Sequence, residues 1–216
     1  MGTIVNERIV DYINSLDKGN SPVCNEIEKE ALADGVPIIR KEMGNLLKVL
    51  LLLKRPQKIL EVGTAVGYSS ILMSENMPQN CRITTIENYE KRIPVAKNNF
   101  KRAGKEEVIT LLEGDAMDIL KELDGTYEFI FMDAAKGQYI NFLPELLRLM
   151  PAGGLLISDN VLQEGDIVES RYGVTRRNRT IHTRMREYIY TLTHAEQLET
   201  SIVPIGDGIT LSVKKG

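Results

Sequence analysis

The sequence predicts an α/β fold in which a mostly parallel sheet carries helices on both faces. Between residues 58 and 159, short and continuously apolar runs alternate with amphipathic segments. Strands of this kind are typical of parallel sheets, because both faces of such a sheet are buried. The end of the chain carries two strand-like runs around a short turn. We therefore expect one domain over residues 1–216, with a helical cap at 1–55 and a sheet core at 56–216.

The cap is predicted to contain three helices. In the first, apolar residues recur near helical spacing at Ile4, Ile9, Val10 and Ile13. The second, "NEIEKEALADG", begins with an asparagine and ends at Gly35, a residue type that often follows a helix. The third, "KEMGNLLKVLLLLK", is closed by Pro56, which cannot continue a helix.

The core is predicted to alternate strands with helices. The strand candidates are KILEV (58–62), RITTIE (82–87), VITLLE (108–113), EFIFMD (128–133) and GLLISD (154–159). Helix candidates begin near Gly67, Tyr89, Ala116 and Tyr139. Two further runs, from Gln197 to Pro204 and from Ile209 to Lys214, flank "IGDG" and predict an antiparallel hairpin.

Composition and charge exclude several classes of protein. The chain is 43% apolar and 26% charged, as soluble globular proteins are, and its net charge of -3 argues against a surface wholly dedicated to nucleic acid. Cys24 and Cys81 lie far apart, without the spacing of a metal site. The sequence shows no signal peptide, and its longest apolar run, "VLLLL", is far too short to span a bilayer. We expect a cytoplasmic protein with reduced cysteines and no membrane partner.

Polar residues follow the predicted strands at the edge where open parallel sheets bind ligands. In "LEVGTAVGYSS", Gly63 and Gly67 allow the backbone to turn tightly and approach a ligand, and Glu61 places an acceptor beside them. The spacing lacks the G-x-G-x-x-G of a dinucleotide site, and the glycines could serve the turn alone. Glu87 closes the next strand, where an acid commonly bonds ribose hydroxyls or caps a helix. Asp115, in "EGDAMD", can cap the helix after it or border an adenine.

The fourth and fifth strands are followed by Asp133 and by the pair Asp159 and Asn160. We expect these strands to be neighbours, which would bring two carboxylates and one amide oxygen together. Two bare carboxylates that close repel each other, so a hard divalent cation is the obvious compensation. Oxygen ligands favour Mg2+ over zinc, and the sequence carries no competing cysteine or histidine cluster. The alternative is that each acid caps a helix separately.

Three motifs together resemble one family, the cation-dependent class I O-methyltransferases that include the catechol and caffeoyl-CoA O-methyltransferases. The motifs are "EVGTAVGYSS", "DAAKGQY" and "SDNV", and the resemblance extends from about Val36 to Lys214. Within the family, "DAAKGQY" and "PIGDGITLSVKK" are most similar to the bacterial tRNA 5-hydroxyuridine methyltransferases. The resemblance implies a seven-stranded Rossmann-like sheet whose last strand is antiparallel, S-adenosylmethionine as cofactor, and a homodimer.

The resemblance also implies roles for single residues. The methionine moiety of the cofactor would be held by Glu61, Gly63, Thr64 and Ser69. The rest of the cofactor would contact Glu87 at the ribose, Asp115 and Ala116 at the adenine, and Ile39 and Asp133 elsewhere. The Mg2+ ligands would be Asp133, Asp159 and Asn160.

Lys136 lies three positions after Asp133 and is the candidate catalytic group beside it. A cation held by Asp133 would lower the pKa of an acceptor hydroxyl, and the Lys136 amine could take its proton or stabilise the oxyanion. Without the resemblance, a surface lysine that pairs with Asp133 is the simpler interpretation. The resemblance favours the catalytic role.

The segment "SRYGVTRRNRTIHTRMREY", residues 170–188, is not needed for methyl transfer. From residue 171 to residue 186 it carries six arginines and a histidine without any acidic residue. Such a basic island favours a polyanionic acceptor, with Tyr139 and Tyr172 as possible stacking surfaces. The candidate RNA contacts are Arg171, Arg176, Arg177, Arg179 and Arg184. Alternatively, Arg177 and Arg184 pair with acidic helices or form a dimer contact.

Three functions follow from these observations. The preferred one is methylation of 5-hydroxyuridine at the wobble position of the tRNA anticodon loop, giving 5-methoxyuridine, with S-adenosylmethionine and Mg2+. The second is methylation of small molecules with catechol-like vicinal hydroxyls. The third is a nucleoside-binding regulator without turnover, against which the complete set of Asp133, Lys136, Asp159 and Asn160 argues.

Overall fold

The computed structural model describes residues 4–216 and confirms the predicted α/β architecture. In chain order the helices are α1 (Glu7–Ser15), α2 (Pro22–Ala33), α3 (Lys41–Lys54), α4 (Tyr68–Asn76), α5 (Ile93–Arg102), α6 (Ala116–Glu122), α7 (Tyr139–Leu149) and α8 (Arg179–His194). The strands are β1 (Lys58–Val62), β2 (Arg82–Glu87), β3 (Ile109–Glu113), β4 (Phe129–Met132), β5 (Leu155–Ser158), β6 (Leu198–Val203) and β7 (Ile209–Lys214). Short 3-10 helical turns cover Lys136–Gln138, Gln163–Val168 and Arg176–Asn178.

The strands form one seven-stranded sheet in the order β3-β2-β1-β4-β5-β7-β6. The strands from β1 to β5 pair in parallel, whereas β7 runs antiparallel to both β5 and β6. The predictions of a parallel core and of a terminal hairpin are therefore confirmed. The chain leaves β1 towards β2 on one side and later returns to β4 on the other. Such a reversal opens a crevice at the carboxyl ends of the two central strands, β1 and β4.

Two predicted helix starts were wrong. α2 begins at Pro22 rather than with Asn25, because Ser21 caps it: the Ser21 hydroxyl accepts a hydrogen bond from Cys24 N at 3.2 Å. Proline suits the first position of a helix, where its missing N–H costs nothing. α5 begins at Ile93 rather than near Tyr89, since residues 89–92 form a turn closed by a backbone hydrogen bond.

Two buried layers hold the helices to the faces of the sheet. In β4, Phe129 and Phe131 pack into the layer shared with α3 and α4, and Ile130 and Met132 pack into the layer shared with α7 and α8. Because both faces of the strand are covered, every β4 side chain is apolar and buried. Within residues 4–216, no helix is long and apolar enough to cross a membrane.

Candidate functional site

A cavity of about 640 Å³ lies at the carboxyl ends of β1 to β4. Its wall is formed by the loops that follow these strands, by the segment 37–40, which leads into α3, and by Asn160, Glu164 and Asp207. A smaller cavity of about 120 Å³ adjoins it and reaches Asp159 and Asn160. The wall of the larger cavity contains most of the residues predicted for the cofactor: Ile39, Gly63, Thr64, Ser69, Glu87, Asp115, Ala116 and Asp133. A cavity of this volume suits a nucleoside-sized ligand.

Gly63 is required by the close approach of two strand ends. It has a φ of 102°, and a Cβ atom there would lie 2.0 Å from the carbonyl oxygen of Asp133. Gly67, at the start of α4, has a φ of 83°, and a Cβ atom would lie 2.5 Å from the ring of Phe100. Both glycines therefore serve the turn, and the same turn forms part of the cavity wall.

Glu61 lies beneath the cavity wall rather than in it. Its buried carboxylate accepts hydrogen bonds from Ser69 Oγ and Thr85 Oγ1, both at 2.5 Å, and from Ser70 Oγ. Burial raises the pKa of Glu61 to about 7, although these three hydroxyls oppose the shift. The direct cofactor contact predicted for Glu61 does not follow from this geometry. The carboxylate instead fixes Ser69, which does line the cavity.

Glu87 and Asp115 are both held by backbone N–H groups. Glu87 Oε2 accepts from Ala65 N at 2.7 Å, and its Oε1 accepts from Asn88 N and Tyr89 N. The carboxylate thus orders the glycine turn from the neighbouring strand, and it does not cap α5. Asp115 caps α6, since its Oδ1 accepts from Met117 N at 2.8 Å. For Asp115 the capping role and a place on the cavity wall therefore coexist.

Asp133 and Asp159 lie side by side, as predicted. β4 and β5 are adjacent, and Met132 pairs with Ser158. Asp133 directly follows Met132, and Asp159 directly follows Ser158. Burial is the largest cause that raises the pKa of Asp159 to about 7, and the charge of Asp133 adds to it. Burial also raises the pKa of Asp133, whereas the charge of Lys136 lowers it. The repulsion that the sequence suggested is therefore present.

The donor set at this point fits a hard cation. Asp159 Oδ1 accepts a hydrogen bond from Asn160 N at 2.7 Å. Within residues 4–216, no group donates a hydrogen bond to the Asp133 carboxylate. Residues 4–216 contain no group of three or more His, Cys, Asp or Glu side chains that could hold a metal ion. The candidate ligands Asp133, Asp159 and Asn160 provide two carboxylates and one amide, a donor set that suits Mg2+ with its remaining ligands from water or substrate. A cation there would relieve the repulsion between Asp133 and Asp159.

Lys136 pairs with a residue that the sequence analysis missed. Its Nζ lies 3.3 Å from Asp207 Oδ2, so the alternative of a pair with Asp133 was wrong. Asp207 is buried and lines both cavities. It belongs to "IGDG", which was interpreted only as a hairpin turn. An acid inside a predicted turn next to the ligand edge was the signal that could have identified it.

The basic segment lies against the loop that carries Lys136. Arg184 Nη1 donates to the carbonyl oxygen of Gly137 at 3.0 Å. In the part of the chain that the structure describes, none of the candidate RNA contacts forms an ion pair. The proposed pairing of Arg177 and Arg184 with acidic helices is therefore wrong within this range. The arginines Arg171, Arg176, Arg177 and Arg184 are exposed, and Arg179 is half-buried.

Two other polar side chains of this region are buried rather than available to a ligand. His182 is 2% exposed and lies on the buried face of α8, so it does not contribute to the basic surface. Tyr139 is also fully buried, which makes the predicted stacking role wrong. Tyr172 is 82% exposed, with the guanidinium carbon of Arg179 5.6 Å from its ring centre. Only Tyr172 of the two tyrosines offers a stacking surface.

The sheet order and the cavity at its central strand ends define a class I methyltransferase fold, and comparison with known proteins gives the family. The O-methyltransferase family model matches residues 17–215. This chain therefore belongs to the class I O-methyltransferases, the family of the caffeoyl-CoA and catechol O-methyltransferases.

Individual relatives agree with this assignment. The chain is 33% identical over 182 residues to caffeoyl-CoA O-methyltransferase 2 of Populus trichocarpa, covering 78% of this chain and 71% of that protein. It is 36% identical over 141 residues to a catechol O-methyltransferase of Niastella koreensis, covering 62% and 64%. An O-methyltransferase of Bacillus cereus, solved in complex with S-adenosylhomocysteine, shares the fold with a TM-score of 0.85 at 23% identity, covering 96% of this chain and 97% of that one.

Replacing Glu61 with Gln should flatten the pH dependence of folding stability. The folded chain holds a proton on Glu61 that the unfolded chain releases, because its pKa is about 7 instead of 4.5. Stability should therefore fall as the pH rises through that interval. At about 1.4 kcal/mol per pH unit, the free energy of unfolding of the wild type should fall by roughly 3 kcal/mol more than that of the variant.

Urea unfolding at about pH 5 and about pH 8 measures this difference. Glu122→Gln removes an exposed carboxylate and should follow the wild type. An unchanged pH dependence in Glu61→Gln would mean that the buried carboxylate titrates as an ordinary glutamate does.

Proposed function

We propose that this O-methyltransferase methylates the hydroxyl of 5-hydroxyuridine at the wobble position of tRNA, giving 5-methoxyuridine. S-adenosylmethionine would supply the methyl group, and Mg2+ would bind at Asp133, Asp159 and Asn160. The observation that carries the tRNA part is a segment of arginines that form no ion pair with any residue the structure describes and of which Arg184 contacts the loop of Lys136.

In this proposal the larger cavity receives S-adenosylmethionine. The residues that would hold it all line the cavity: Ile39, Gly63, Thr64, Ser69, Glu87, Asp115 and Ala116. Glu61 would act indirectly by holding Ser69 in place. Methyl transfer needs the acceptor oxygen in line with the methyl group, so positioning by these residues can supply much of the rate.

The acceptor would bind where the two cavities meet. Mg2+ bound there would lower the pKa of the acceptor hydroxyl and favour its anion. Asp133 and Asp159 supply the negative charge that holds the cation, and Asn160 supplies a neutral oxygen. Lys136 lines the larger cavity, where its side chain can receive the hydroxyl proton as a neutral amine or, as the ammonium that pairs with Asp207, stabilise the developing oxyanion.

The arginine segment favours an RNA acceptor. Unpaired, exposed guanidinium groups bind phosphates and stack on bases. The ring of Tyr172 is covered by Arg179 on one face and is otherwise exposed, so it can stack on a base of a single-stranded loop. Because Arg184 is tied to Gly137, an RNA bound by this segment would reach the mouth of the cavity.

A small-molecule acceptor is the second candidate. The chain is 36% identical to the catechol O-methyltransferase of Niastella koreensis in the matched part. A catechol and a 5-hydroxyuridine can both present two neighbouring oxygens to one cation. Two observations argue against a nucleoside-binding regulator without turnover. The chain belongs to an enzyme family, and the set of Asp133, Lys136, Asp159 and Asn160 is complete.

A homodimer and a cytoplasmic location belong to the same proposal. α1 has no buried side chain and exposes Ile9 and Tyr12, Leu16 is exposed directly after it, and the neighbouring α3 exposes Leu52 and Leu53. A second copy of the chain would cover these apolar side chains. Sedimentation velocity should then show a species of twice the 24.3 kDa chain mass.

The proposed acceptor can be tested by methyl transfer. Purified protein is incubated with labelled S-adenosylmethionine and Mg2+ and offered tRNA that carries 5-hydroxyuridine, in parallel with a panel of catechols. We expect label in the tRNA that co-migrates with 5-methoxyuridine. Methylation of catechols with tRNA untouched would reject the preferred acceptor, and transfer to neither would favour the regulator.

Asp159→Ala should abolish methyl transfer and leave binding of S-adenosylmethionine nearly intact. The residue borders the smaller cavity and does not line the larger one. The variant should fold, because removing one of two repelling carboxylates relieves an unfavourable interaction.

Calorimetric titration with S-adenosylmethionine and the transfer assay measure the two effects of this change. Asp124→Ala, which removes an exposed acid, is the control and should behave as the wild type. A variant that keeps turnover at the wild-type rate, or one that loses cofactor binding together with turnover, would show that the metal assignment is wrong.

Replacing Arg176, Arg177 and Arg179 together with Gln should raise the KM for tRNA by about tenfold or more. Loss of three phosphate contacts should also reduce the slope of log affinity against log salt by about 2. The matched control replaces Lys29, Lys101 and Lys121 with Gln, which removes the same charge from other exposed positions. Unchanged tRNA kinetics in the arginine variant would place RNA binding elsewhere.

A further inference from the structure

Asp207 is a buried carboxylate at the site to which the proposed function gives no role. It lies in the turn between β6 and β7 and lines both cavities. Its Oδ2 lies 3.3 Å from Lys136 Nζ, and its Oδ1 accepts a hydrogen bond from the backbone N–H of Glu164. One side chain thus joins the loop after β4 to the loop after β5.

The loop that Asp207 holds has an unfavourable backbone. Asn160, Gln163 and Glu164 have φ values of 56°, 52° and 54°, in the left-handed region that non-glycine residues seldom occupy. Such conformations persist only when the surroundings impose them. Two backbone hydrogen bonds also fasten the loop to the hairpin turn, from Leu162 N to Asp207 O at 3.0 Å and from Val161 N to Gly208 O at 2.9 Å.

The position of the Lys136 ammonium also depends on Asp207. The Lys136 ammonium is near the carboxylates of Asp133, Asp159 and Asp207. In the structure it pairs with Asp207 instead of Asp133. This leaves Asp133 without a side-chain partner among the residues described, and so available to a cation. An ammonium paired with Asp133 would compete with that cation for the same charge.

We infer that Asp207 is a positioning residue for methyl transfer, which holds the Lys136 ammonium beside the acceptor and fixes the 160–165 loop. The inference rests on the proposed function to the extent that Lys136 acts on the acceptor. The two roles are separable, because an asparagine at this position keeps an oxygen for Glu164 N and loses the charge that holds Lys136.

Asp207→Asn should lower kcat about 10- to 100-fold with the KM for S-adenosylmethionine unchanged, because a misplaced catalytic group costs a factor of this order. In a Lys136→Met background the same substitution should change kcat less than about twofold, since its effect passes through Lys136. The control is Asp166→Asn, which removes a charge from the 3-10 turn Gln163–Val168 at a residue that has no contact with Lys136. Additive losses in the double variant would overturn the inference.

Two further measurements need no acceptor. Hydrogen exchange in peptides that cover residues 160–168 should be faster in Asp207→Ala than in the wild type, and unchanged in Asp207→Asn. Equal exchange in Asp207→Ala and the wild type would overturn the loop role. In the Lys136→Met background, titration with Mn2+ should give the same affinity with and without Asp207→Asn, since no ammonium is left to compete for Asp133. A tenfold weaker affinity caused by Asp207→Asn in that background would make Asp207 a metal ligand instead. If the wild type methylates neither tRNA nor catechols, the proposed function fails while these two measurements still test the role of Asp207.

Discussion

The site depends on the parallel pairing of β4 with β5. That pairing sets Met132 opposite Ser158, so Asp133 and Asp159 leave the sheet next to each other despite their like charge. Tyr139 secures both strand ends, since its buried hydroxyl donates to Asp159 O at 3.1 Å and accepts from Ala134 N at 3.3 Å. The fold therefore imposes the repulsion, and the core packing of β4 offsets its cost.

The acids around the cavity differ in how fully the protein compensates them. Glu61 accepts from three hydroxyls, and Glu87 accepts from three backbone N–H groups. Asp159 accepts from one backbone N–H, and Asp133 accepts from no donor in the described chain. A buried carboxylate without donors is unfavourable unless a cation compensates it. Among the three acids whose pKa is raised by burial, Glu61, Asp133 and Asp159, the two with the fewest donors are thus the ones proposed as Mg2+ ligands.

Much of this fold could be predicted because the local patterns agree with the tertiary structure. The run from Phe129 to Met132 is buried on both faces, so its continuous apolarity identified a central strand. The start of α5 could not be predicted in the same way, because it depends on the turn that Glu87 holds through Asn88 and Tyr89. Asp207 was missed for a related reason. Its pairing with Lys136 joins residues 71 positions apart, and no periodicity reports such a contact.

The chemistry and the choice of acceptor come from different parts of the chain. The residues for methyl transfer lie at the ends of strands, where the sheet fixes them, and they would treat any pair of vicinal oxygens alike. The arginines lie outside the sheet, on α8 and the segment before it, and Arg184 and Arg186 join them to the loops after β4 and β5 through the carbonyl oxygens of Gly137 and Ile167. Because phosphate contacts position a nucleic acid without reading its sequence, the role of this surface under the proposed function would be to bring the anticodon loop to the cavity. Under the proposed function the cavity itself would then have to recognise the modified base, since a base that presents a hydroxyl beside a second oxygen could bind the cation that Asp133 and Asp159 would hold.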